Sequence, residues 1–228
     1  MKLLLSRVTG RQLKAIEQAP GGSYLFIGPV GTGKFTAAKQ LGKKISARPG
    51  DVIIIEPAKK SIGIEQVLDL GQSLRLKNTG GGRTVIILQA QLLTREAQNA
   101  LLKMLEEPPL DTTIILTASQ IDSLVATVLS RCQKILFPPL GQAAIRSYLV
   151  QPLGLPVAEA SRLANVSEGA TGAAITLSRQ PERLQEFENR LKLAKNYLQQ
   201  PLYERLLLNQ QILAEEDPTQ MVLQILKL

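Results

Sequence analysis

Ser23 to Ile45 reads SYLFIGPVGTGKFTAAKQLGKKI, and this stretch decides the fold. Its opening is a short apolar run of strand type, and Ala37, Ala38, Leu41 and Ile45 later recur at helical spacing. Between them Gly28 to Lys34, GPVGTGK, satisfies G-x-x-x-x-G-K. A glycine-rich turn between a strand and a helix lets backbone N–H groups face phosphate oxygens, with the helix N-terminus adding positive potential and the lysine reaching the terminal phosphates. The expected nucleotide-binding residues are therefore Gly28, Pro29, Val30, Gly31, Thr32, Gly33, Lys34, Phe35 and Thr36.

The same stretch departs from a hydrolytic site. The position after the lysine should carry a hydroxyl for Mg²⁺, but Phe35 stands there and Thr36 comes one residue late, a rotation of about 100° on a helix. Farther on, RTVIILQAQLLTREAQNALLKMLEEPP predicts a strand over Val85 to Leu88 whose end should hold carboxylates, one for the metal and one to polarise water. Leu88 and Gln89 occupy those positions, and no Asp or Glu lies between Asp69 and Glu96. Glu56 ends another predicted strand, Val52 to Ile55, at the far edge of the sheet in the usual strand order.

Two more strands are predicted at Thr113 to Leu116 and Lys134 to Phe137, with helices between: Ile64, Val67, Leu68 and Leu74 give one stripe, and Ala97, Leu101, Met104 and Leu105 another, capped by Thr94 and ended by Pro108. Alternating strands and helices imply a parallel sheet covered on both faces. After Pro138 and Pro139 only helical periodicity remains. The expected division is a nucleotide-binding domain over 1–139, a small helical lid over 140–180 and further helices over 181–228.

Composition narrows the functions. The 228 residues contain one cysteine, Cys132, and no histidine, which excludes an internal disulfide and an ordinary zinc site. The longest apolar runs are far too short to span a bilayer, and MKLLLSRVTGRQ has no signal-peptide pattern, so a cytoplasmic protein is expected. The net charge is +8, and up to Gly50 the sole acid is Glu17 against nine Lys and Arg residues. A polyanionic partner and a merely solvated basic face account for this equally well.

LLTREAQNALLKMLEEPP, ATVLSRCQ, EPAKKSIGIEQV and the phosphate loop together resemble the clamp-loader ATPases of bacterial DNA polymerase III, of the AAA+ class. The resemblance extends to about Arg179, and SEGATGAAITLSR is more similar to the delta prime branch than to the gamma/tau branch, which carries an arginine near Gly172. It implies the AAA+ P-loop NTPase fold, an α/β architecture with a five-stranded parallel sheet, followed by the lid and part of a C-terminal collar. It further implies that Arg131 is an arginine finger acting in trans on a neighbouring subunit's ATP, that Lys103 faces DNA, and that the partners are gamma/tau and delta-type subunits, primer-template DNA and the sliding clamp. The family's polar sensor position aligns with Ala118, with Thr117 one place early. Bound ATP or ADP would be held without efficient hydrolysis. The competing readings are an active or weakly active P-loop ATPase that recruits Thr36, and a small P-loop kinase; Gln98 and Asn99 are expected at the helix surface or between subunits.

Overall fold

A computed structural model describes residues 3–58, 60–75, 81–186, 189 and 201. The chain divides into two compact units, Met1–Ile175 and Thr176–Leu228. In the first, helices and strands alternate as α1 (Arg7–Gln18), β1 (Gly22–Ile27), α2 (Lys34–Ile45), β2 (Val52–Ile55), α3 (Ile64–Arg75), β3 (Arg83–Ile87), α4 (Arg95–Glu106), β4 (Thr112–Ala118), α5 (Ala126–Arg131) and β5 (Gln133–Leu136). α6 (Gln142–Val150), α7 (Val157–Val166) and α8 (Thr171–Ser178) follow, and α8 runs across the boundary between the units. In the second unit residues 181–186 are helical and Leu184 is buried; most of the expected C-terminal helices lie outside the described residues.

The five strands form one parallel sheet in the order β2-β3-β4-β1-β5. Side chains alternate across it, so each central strand feeds two cores. Leu25, Val85, Ile87, Ile114 and Leu116 meet Val67, Leu70, Leu101 and Val128 on the face of α3, α4 and α5. Tyr24, Phe26, Ile86, Ile115 and Ile135 meet Ile16, Ala38 and Leu41 on the face of α1 and α2. Burial on both faces is why these strands read as unbroken apolar runs rather than as alternating ones.

The expected strands match in place, with ends shifted by one or two residues. On α3 the buried positions are Val67, Leu70 and Leu74, whereas Ile64 and Leu68 are 39% and 53% exposed. Helical spacing alone admitted both rows; packing chose the one that joins the core with Leu101 and Leu105 of α4. The helix α1 carried a signal that went unread: Ser6 caps it by accepting from the Thr9 N–H at 3.1 Å, and Ile16 is its apolar anchor.

α4 starts as expected, with Thr94 Oγ1 accepting from the Ala97 N–H at 3.2 Å. Gln98, however, is not a surface residue. It is 1% exposed, and its side chain donates to the carbonyls of Leu93 (3.2 Å) and Ser123 (2.9 Å) while accepting from the Val125 N–H (2.8 Å). The row Thr94, Gln98, Leu101, Leu105 lies on one helix face, so spacing places Gln98 inward; its polarity suggested the opposite. Gln98→Ala is expected to leave one buried and two partly buried backbone groups without this partner and to lower stability by about 2 kcal/mol, measurable by urea denaturation.

Candidate functional site

The site lies at the carboxyl ends of β1, β3 and β4, where the loop after β1 turns into α2. Gly31 and Gly33 have φ of 81° and 90°, the left-handed conformation that glycine tolerates. Gly33 is also the N-cap residue of α2 and has no side chain with which to cap it, so the first amides of the helix stay available to an anion. Thr32 is buried and donates its hydroxyl to the Pro29 carbonyl at 2.9 Å, whereas Val30 at the loop tip is 80% exposed.

Lys34 is folded back on its own loop. Its Nζ donates to the carbonyl oxygens of Gly28 (2.5 Å) and Pro29 (2.6 Å), and burial holds its pKa below the usual lysine value. A phosphate has to draw the ammonium away from these two carbonyls. The loop is also tied to the start of α8, where the Gly172 N–H donates to the Gly31 carbonyl at 2.7 Å.

A cavity of about 430 Å³ opens beside the loop, and its lining brings together Lys34, Phe35 and Thr36 with Leu88, Gln89 and Ala118. Among the described residues no carboxylate lines it. Phe35 is 38% exposed, with Lys39 Nζ lying 5.7 Å from its ring centre. Glu56 ends β2, at the sheet edge and separated from β1 by β3 and β4. The loop geometry thus fits a phosphate chain, while the donor set does not fit Mg²⁺, which requires oxygen ligands and usually a carboxylate.

The amides and hydroxyls around the cavity have structural uses. Gln89 has φ 51°, and its N–H donates to Thr117 Oγ1 at 3.1 Å, so the threonine nearest the sensor position supports a strained turn. Gln91 clasps Ser119 from both ends: its amide nitrogen donates to the Ser119 hydroxyl (3.0 Å) and its amide oxygen accepts from the Ser119 N–H (3.3 Å). The ends of β3 and β4 are joined by neutral hydrogen bonds in place of metal ligands.

Arg131 and Lys103 do not line this cavity. Lys103 is exposed on α4. Arg131 ends α5, where its Nε donates to Glu106 Oε2 at 2.9 Å and one terminal nitrogen donates to the Thr127 carbonyl at 3.2 Å. The next residue, Cys132, is buried, and desolvation pushes its thiol up to about 11 from an ordinary 9.0. At pH 8 iodoacetamide is expected to alkylate Cys132 at least ~100-fold more slowly in the folded chain than in the chain unfolded in guanidinium. The thiol also contributes to pH dependence: its share of stability is complete below pH 9 and is lost as pH rises toward 11.

The family model described as "DNA polymerase III, delta subunit" matches residues 43–141. The delta prime subunit of DNA polymerase III from Bacillus subtilis is 32% identical over 196 residues, covering 77% of this chain and 58% of its own length. That of Pseudomonas aeruginosa is 32% identical over 204 residues, covering 77% of this chain and 62% of its own. Over most of its length the chain is similar in sequence to delta prime subunits of DNA polymerase III. It spans about six-tenths of the length of these delta prime relatives. In fold it is similar to a gamma subunit-related protein of DNA polymerase III from Thermotoga maritima, with a TM-score of 0.56 and 22% identity over 90% of this chain and 77% of that one. The architecture is that of the AAA+ class.

Proposed function

We propose that this chain is a delta prime-type structural subunit of a DNA polymerase III clamp loader in the cytoplasm, deficient in hydrolysis itself and supplying Arg131 to ATP bound by a neighbouring subunit. The observation that carries the reading is the split between two places. The cavity beside the phosphate loop is lined by Phe35, Leu88 and Gln89 with no carboxylate among the described residues, while Arg131 stands at the end of α5 with part of its guanidinium uncommitted. An enzyme that keeps its phosphate loop without metal ligands or a water-polarising acid loses orders of magnitude in rate. A guanidinium directed at another subunit's γ-phosphate requires none of these groups.

In this reading the loop and Lys34 retain ATP or ADP as a structural ligand without efficient turnover. Gamma/tau and delta-type subunits are the neighbours, and primer-template DNA and the sliding clamp are engaged through the assembled ring. Lys103 is exposed on α4, and in the same reading it faces the DNA backbone.

The alternative is an active ATPase in which Thr36, which also lines the cavity, holds the metal. Calorimetric titration of the full chain with ATP and Mg²⁺, together with steady-state hydrolysis, separates the two. The expected result is nucleotide binding with no turnover above background. Turnover near that of a competent ATPase would end the proposed reading. Mixing with gamma/tau and delta subunits tests the assembly directly, and failure to form a complex would remove the subunit role.

A further inference from the structure

A second concave surface is built on α1 and α2. Between α1 and α2 runs an open groove of about 710 Å³; it shares no lining residue with the cavity beside Leu88 and Gln89, although both draw on α2. Its floor is apolar, formed by Leu3, Leu5, Leu13 and Leu41. Its rim is basic: Arg7, Arg11 and Lys14 come from α1 and Lys44 from α2.

The spacing of Arg7, Arg11 and Lys14 places the three on one stripe of α1, because residues three and four apart are neighbours on a helix. All three are exposed, and no hydrogen bond or ion pair among the described residues engages any of them. The sole carboxylate lining the groove is Glu17, which is already held by Lys44 at 2.8 Å. The positive stripe is therefore uncompensated along its length, while the floor beside it consists of the partly buried Leu3, Leu5 and Leu13 over the buried Leu41.

We propose that this groove docks an acidic amphipathic helix of another polypeptide. A helix about three turns long matches the 12 residues of α1, and its apolar row would pack between α1 and α2 on the leucine floor. Carboxylates flanking that row would meet Arg7, Arg11 and Lys14. The floor argues against nucleic acid as the occupant: a phosphate backbone gains nothing from leucine, and no aromatic side chain lines the groove to stack on a base. The inference does not depend on the phosphate loop or on Arg131.

The test is selection of a phage-displayed library of random 16-residue peptides on the full chain, followed by fluorescence anisotropy of the enriched peptides on wild type and on Arg11→Glu/Lys14→Glu. Both substitutions are on exposed side chains, and circular dichroism checks that the fold is kept. The expected peptides carry apolar residues at helical spacing flanked by Asp and Glu, bind less well as salt rises, and lose at least ~10-fold in affinity on the double variant. Replacing their acids with lysine should restore binding to the double variant. Absence of enrichment over the bare surface, enrichment of basic or uncharged peptides, or equal binding to both proteins would overturn the proposal. So would duplex DNA that binds wild type and is lost on the double variant, because the stripe would then be reading phosphate.

Discussion

In a reconstituted loader ring, Arg131→Ala should leave assembly intact and slow hydrolysis at the adjoining ATP site by about 10³-fold, the lower end of what a missing arginine finger costs. The geometry sets this expectation. Arg131 has five N–H donors, and the structure commits one at Nε to Glu106 and one to the Thr127 carbonyl. The remaining donors keep the planar fork that suits a γ-phosphate. Arg131→Lys keeps the charge but not the fork, so it should recover only a small part of the rate. The ion pair with Glu106 is partly exposed, its side chains being 31% and 60% accessible, and is worth little to stability. Loss of Arg131 should accordingly leave the denaturation midpoint of the isolated chain almost unchanged. Single-turnover hydrolysis stimulated by primed DNA measures the first effect and size-exclusion chromatography the assembly; an unchanged rate would dismiss the finger.

The second large effect concerns the fold. A Cβ on Gly28 would stand 2.1 Å from the Phe137 carbonyl oxygen and 2.9 Å from its carbon, and both are backbone atoms. No side chain can move aside. The contact sits where three strands are stitched together, with the Gly28 N–H donating to the Ala118 carbonyl at 3.2 Å and the Phe137 N–H to the Ile27 carbonyl at 2.7 Å. Phe26 and Phe137 pack just beneath, their ring centres 5.0 Å apart. Gly28→Ala should therefore cost about 3–5 kcal/mol. Gly10→Ala is the matched control: nothing lies within 4 Å of a Cβ there, and removing a helix-interior glycine should stabilise by about 0.5–1 kcal/mol. Denaturant titration of the two variants should move in opposite directions, and equal midpoints would show that the steric reading of Gly28 is wrong.

Gly28 also marks where sequence reading runs short. Its place in GPVGTGK made it part of a phosphate turn, but the backbone contact that forbids a side chain comes from Phe137, more than a hundred residues away. Local signals carried the strands and α4 well, because apolar runs and caps act over a few residues: VIII forms β2, and Thr94 caps its helix. The choice between the Leu68 and Leu70 rows on α3 depended on where α4 packs, which spacing within α3 does not reveal. Gln98 was misplaced because its partners, the backbones of Ser123 and Val125, are distant in sequence. In the site, the missing acids at Leu88 and Gln89 were legible as residue types; the clasp of Gln91 on Ser119 and the return of Lys34 to its own loop were not, since both require the shape of the chain.

The bond between Gly172 and Gly31 restricts what position 172 can carry. A Cβ at position 172 would stand 2.9 Å from the Gly31 carbonyl oxygen, so an arginine of the kind the gamma/tau branch carries near this point cannot be added while α8 rests on the loop. Placing a larger side chain here would take at least two changes, first lifting the helix and then changing the residue, and the first alone gives up a 2.7 Å hydrogen bond. The glycine and the contact thus hold each other in place: a larger residue at 172 displaces the helix, and a displaced helix leaves the Gly31 carbonyl without this donor.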